Sequence, residues 1–89
     1  MLEREIVIPN KLGLHARAAA KLVNVAGSHA SEVTLSKDGQ EVNGKSIMGV
    51  MMLAASKGTT IRIRTQGPDE QATMNDLLTL IENRFGESE

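Results

Sequence analysis

Cysteine, tryptophan and tyrosine are absent from this chain of 89 residues, and Phe85 is its one aromatic side chain. Without cysteine there is no disulfide framework and no thiolate metal site, so packing alone must hold the fold, which suits a reducing compartment. With so few aromatics there is no platform on which bases stack. A net charge of -1, from 10 basic and 11 acidic residues, adds no attraction to nucleic acid. No apolar run approaches the ~20 residues of a membrane span, and Met1-Leu2-Glu3-Arg4-Glu5 has no basic-then-apolar leader pattern, so no membrane contact is expected and the cytoplasm is the expected compartment. No metal-ligand set or acid pair is visible, so neither a metal nor a cofactor is expected. Repeats, low-complexity tracts and linkers are also missing. The length allows one domain, residues 1–89, with one modest core. No driver for self-association stands out, so a monomer is expected.

What is present reads as a compact series of short elements. Glu5-Ile6-Val7-Ile8 is a β-branched strand stopped by Pro9-Asn10. A helix then runs from Ala16 to about Ala26, with Ala19, Leu22, Val23 and Ala26 on its apolar face and Gly27 closing it. Arg17, Lys21 and Asn24 share another side of that helix, which places Arg17 in solvent. Ser31–Ser36 alternates as a strand, Lys37-Asp38-Gly39-Gln40 makes a tight hairpin turn, and Glu41-Val42-Asn43 returns. Ser46 is a natural cap for a helix over Ile47–Ala55 that Gly58 stops. Thr60–Thr65 alternates as a strand with one wet face. Gly67-Pro68-Asp69-Glu70 opens a last helix, where Met74, Leu77, Leu78, Ile81 and Phe85 form an apolar stripe that ends at Gly86. The order βαββαβα predicts an α+β domain, a four-stranded antiparallel sheet with three helices over one face.

Four features could carry chemistry. Gly39–Ser46 fits the nucleotide-binding expression G-x-x-x-x-G-K-[ST] by letter, but that loop must follow a buried parallel strand, whereas Gly39 belongs to a hairpin turn and Glu41–Asn43 to a strand. The fit is accidental. His15 lies where a loop becomes a helix, with Arg17 two residues on. On local grounds such a histidine is also an ordinary structural residue. Against that stand the free amides of Ala16 and Arg17 at the helix start and a guanidinium whose planar fork matches phosphate oxygens. An imidazole there is placed to carry phosphate. His29, after Gly27-Ser28, reads as a surface residue. Ser46 is a helix cap, and also a position where a phosphate dianion would be tolerated and would change the surface charge. Ile47, Met48, Met51 and Met52 exceed what one face of a short helix hides, so some of them belong to an adaptable docking surface.

Lys11-Leu12-Gly13-Leu14-His15-Ala16-Arg17 and Asn43-Gly44-Lys45-Ser46-Ile47-Met48-Gly49-Val50-Met51 resemble the two signature segments of the HPr phosphocarrier family of the phosphoenolpyruvate-dependent phosphotransferase system. The likeness covers the length, the element order and the spacing of the segments. It implies an open-faced β-sandwich that accepts a phosphoryl group from phospho-Enzyme I and passes it to IIA proteins or domains. The resemblance assigns the phosphate to His15, on Nδ1 as phosphohistidine, and assistance in transfer to Arg17. It assigns modification by an HPr kinase/phosphorylase, found in some bacteria, to Ser46. Partner docking falls to the regions holding Ala16, Ala20, Ile47, Met48 and Met51. Such a protein is a stoichiometric relay rather than an independent turnover enzyme.

Many sugar-transport members have proline after the arginine, whereas this chain has Ala18, and Arg17–Ala20 resembles the nitrogen-regulation branch, NPr, or members from reduced systems. The competing reading is a non-catalytic regulatory binding module controlled by Ser46 phosphorylation. A small hydrolase is a third, for which no paired acid, base or metal set is visible.

Overall fold

A computed structural model describes all of residues 1–89. The chain runs β1 (Leu2–Val7), α1 (Ala16–Gly27), β2 (Glu32–Lys37), β3 (Gln40–Asn43), α2 (Ile47–Met52), β4 (Thr60–Gln66) and α3 (Glu70–Glu82), followed by a 3-10 turn at Arg84–Gly86. The strands form one antiparallel sheet in the order β1-β4-β2-β3. Ile61, Ile63, Val33 and Leu35 point from the two central strands into a core shared with Ala18, Ala19, Leu22, Val50, Met74, Leu77 and Ile81 from the helices. The alternation along β4 puts Thr60, Arg62 and Gln66 on the other face, in solvent. The expected open-faced α+β sandwich is therefore the architecture found.

Local chemistry explains the joints. Asp38 and Gly39 both have positive φ, 50° and 83°, as a two-residue turn between right-twisted strands requires. Lys37 pairs with Gln40 directly across it, so Gly39 lies in a hairpin and cannot belong to a phosphate-binding loop. Ser46 caps α2 as expected, its Oγ accepting from the Gly49 amide at 3.1 Å.

Several strand ends shift by one residue, and three boundaries differ more substantially from the sequence reading. β1 begins at Leu2 rather than Glu5, because Glu3 and Arg4 pair opposite Arg64 and Ile63 of β4. An edge strand tolerates such polar residues, which blurs its start in the sequence. α2 ends at Met52, well short of Ala55. Ala54 has φ 51°, and this turn lets the Ala55 carbonyl accept from the Leu14 amide at 2.8 Å. Gly13, at φ 65°, lies against the same carbonyl so closely that a Cβ would stand 2.4 Å from it. The segment before His15 is thus bolted to the end of α2. Finally, Phe85 is not on α3: the helix stops at Glu82, and Arg84 and Phe85 both take φ 55° before the Phe85 ring enters the core.

Candidate functional site

The loop from β1 to α1 delivers His15 to the helix N-terminus. Its carbonyl accepts from Ala19 at 2.8 Å, while its side chain makes no capping bond and is left for other work. The amides of Ala16, Arg17 and Ala18 have no acceptor within the chain, as the first turn of a helix dictates. Arg17 is exposed and engages none of the chain's carboxylates. The guanidinium and the open amides therefore stand available together for an anion beside the ring.

A residue unforeseen from the sequence completes the arrangement. Glu87, 72 positions further along, brings Oε2 into hydrogen-bond contact with His15 Nε2. Its other oxygen accepts from Nδ2 of the fully buried Asn10 at 3.0 Å, and the same nitrogen donates to the Gly13 carbonyl at 2.9 Å. The Asn10 bond, then the His15 contact, hold the Glu87 carboxyl below its ordinary range, against a burial that pushes it up. An ionised carboxylate can only accept, so the imidazole carries its proton on Nε2 and, when neutral, keeps its lone pair on Nδ1, which has no hydrogen-bond partner within the chain. Lys21, one turn beyond Arg17, reaches the Phe85 carbonyl at 2.6 Å and ties α1 to the terminal segment. His15, Arg17, Lys21, Lys11, Glu87 and Glu89 share an open pocket. Nothing in the sequence flags Asn10 or Glu87, since neither sits in a periodic stretch and their meeting depends on how the chain closes.

The remaining predicted positions fall beside this pocket or on α2. Ala16 is exposed and Ala20 half-buried on α1. On α2 the buried residue is Val50. Ile47, Met48, Met51 and Met52 are all exposed, and Leu12 is 65% exposed in the loop before His15. α2 packs against α1, so this apolar surface lies alongside the helix that starts at the histidine.

The sequence reading of His29 needs correction. Its side chain is 14% exposed and bridges two carboxylates, Nδ1 to Asp69 at 3.0 Å and Nε2 to Asp76 at 2.8 Å, while Lys45 Nζ donates to its carbonyl at 2.9 Å. The loop packs under α3 because Asp69, at the N-cap, spends its carboxylate on Ser31 and Ala30 rather than on its own helix. Bonding to Asp76, then Asp69, raises the His29 pKa. The Ser31 hydroxyl is the main cause that holds Asp69 far below the usual carboxylate range. A depressed carboxyl stabilises the fold above its unfolded value of ~3.9 and ceases to as pH falls through the folded value. A raised imidazole stabilises below ~6.5 and ceases to as pH rises through its folded value. Urea midpoints against pH are expected to show a shallower acid decline for Asp69→Asn and a smaller loss as pH rises above ~6.5 for His29→Gln. Profiles parallel to the unmodified protein would refute both.

A histidine with open helix amides and an unpaired arginine at one helix end, on a four-stranded open-faced sandwich, defines a small α+β domain with groups able to bind an anion gathered at that end. The family described as "PTS HPr component phosphorylation site" matches residues 2–83. "Phosphocarrier protein HPr" of Cupriavidus necator is 60% identical over 89 residues, covering all of both chains, and that of Xylella fastidiosa is 60% identical over 87 residues, 98% of each. The crystal structure of HPr-C-His from Thermoanaerobacter tengcongensis superposes with a TM-score of 0.97 at 44% identity, covering 100% of both chains. The chain belongs to the HPr family of phosphocarriers of the phosphotransferase system.

Proposed function

We propose that the chain, acting as one HPr-like domain, is a cytoplasmic, monomeric relay in which His15 Nδ1 takes a phosphoryl group from phospho-Enzyme I and yields it to a IIA protein or domain. The observation that carries this reading is the Glu87 contact at Nε2, which leaves Nδ1 as the nucleophilic nitrogen beside Arg17 and the open amides of α1. In the first step the Nδ1 lone pair forms a bond to phosphorus as the donor's P–N bond breaks. In the second an acceptor nucleophile on the IIA partner displaces the imidazole. Arg17 and the amides neutralise the equatorial oxygens as charge moves. Glu87 holds the ring without taking the proton, and its negative charge beside the phosphate favours onward transfer over storage.

Incubation with Enzyme I and phosphoenolpyruvate is expected to give an acid-labile, base-stable phosphate on the protein. Arg17→Ala is expected to keep the fold and slow transfer by roughly 100-fold, the scale on which loss of a donor to a developing anion is felt. An equal rate would remove its role. Offering the phosphoprotein to sugar-type and nitrogen-type IIA proteins separates the two destinations that Ala18 leaves open.

The surface of Ala16, Ala20, Ile47, Met48 and Met51 is the docking face of this reading, its exposed side chains apolar and adaptable. Ser46 is the proposed target of an HPr kinase/phosphorylase. It is half-buried with its Oγ already engaged as a cap, so a phosphate there would keep the capping role while placing a dianion at the edge of that face. The alternative of a binding module without transfer leaves the open amides, the free guanidinium and the oriented imidazole without a use.

A further inference from the structure

The chain has no cysteine, so its only sulfur chemistry is that of methionine thioethers. Of five methionines, three lie within α2, at positions 48, 51 and 52, and they are 70%, 39% and 64% exposed. Met74 is 1% exposed in the core, and Met1 is exposed ahead of β1, where its amine pairs with Glu70 at the start of α3. A peroxide therefore meets a concentrated, accessible target on one short helix. Val50 and Leu53 anchor that helix in the core, and Ser46 caps it, so none of the three thioethers is needed to hold the fold.

We propose that Met48, Met51 and Met52 form a reversible oxidation site that lowers the protein's affinity for its phosphotransfer partners. The thioether sulfur attacks a peroxide oxygen, the O–O bond breaks and an S–O bond forms, and the departing hydroxide takes a proton to leave as water. Sulfur loses two electrons and the peroxide gains them. Each sulfoxide replaces an apolar, flexible tip by a strong hydrogen-bond acceptor that must be desolvated on docking. Three such groups on six residues convert an apolar patch into a polar one. Reduction by a thiol-dependent methionine sulfoxide reductase reverses the change.

This inference rests on the reading of α2 as part of the docking face, and the test keeps the two apart. Hydrogen peroxide titration with peptide mass mapping is expected to find Met48 and Met52 oxidised well before Met74. The oxidised protein is expected to show an apparent KM for phospho-Enzyme I about tenfold higher, as loss of an interface anchor would give, restored by reductase treatment. The triple substitution Met48→Leu, Met51→Leu and Met52→Leu is expected to hold its own untreated KM after peroxide. Oxidation of Met74 as fast as Met48, an unchanged KM after oxidation, or equal peroxide sensitivity of the triple variant would each overturn the proposal. Met48→Lys distinguishes the failures. If it raises the KM while the sulfoxides do not, only the oxidation site is lost, and if neither does, the docking reading falls as well.

Discussion

His15→Ala is expected to fold normally and to accept no phosphate from phospho-Enzyme I, read as the absence of acid-labile label on the protein after incubation with Enzyme I and phosphoenolpyruvate. The side chain is partly exposed and serves no cap, so its removal opens no core cavity and releases no helix amide. Its one side-chain partner is Glu87, which keeps its bond from Asn10. Nothing nearby can replace it: His29 is the only other imidazole, and both of its nitrogens are committed to Asp69 and Asp76. A denaturation midpoint close to that of the unmodified protein, with transfer at background, is the signature of a lost nucleophile. Full uptake by this variant would overturn the carrier reading outright.

Phe85→Ala carries the largest effect on stability. The ring is fully buried where α3 has ended, and deletions of this size cost about 3–5 kcal/mol. A domain holding about 5–15 kcal/mol in total loses a large share of it, and at ~4–8 °C per kcal/mol the melting temperature falls by more than ~12 °C. The same ring fixes the turn from which Glu87 returns to His15, and its carbonyl accepts from Lys21. The variant is therefore expected to loosen the terminal segment before it unfolds, seen as faster amide exchange at Glu87 than in α1. Phe85→Leu, which keeps most of the volume, is expected to recover much of the loss. A shift of only a few degrees for the alanine variant would contradict the anchoring role.

Elements whose pattern is local were legible in the residues. The alternation of Thr60–Thr65, the Asp38-Gly39 turn and the Ser46 cap each follow from conformational preferences acting within a few residues. The candidate histidine and arginine were legible for the same reason, since one helix start places both. Legibility failed where distant segments set the outcome. Periodicity carries α2 through Ala55, but the positive-φ turn at Ala54, which aims the Ala55 carbonyl at the Leu14 amide, breaks it sooner. The loop of His29 reads as solvent-exposed until α3 presents Asp69 and Asp76 to both sides of its ring.

Residue order alone determined the element sequence, the antiparallel sheet with helices on one side, and a histidine at a helix start, because hydrophobic period and helix-end chemistry are short-range. Tertiary closure decided which nitrogen of that histidine is free. It brings Glu87 across 72 positions to Nε2 and Asn10 behind it, a meeting that depends on the Phe85 turn and the packing of α3. It also decided that Val50 is the buried residue of α2, leaving all three of that helix's methionines in solvent. A six-residue helix has too few turns for its own pattern to choose a face, so the choice falls to the neighbours it packs against.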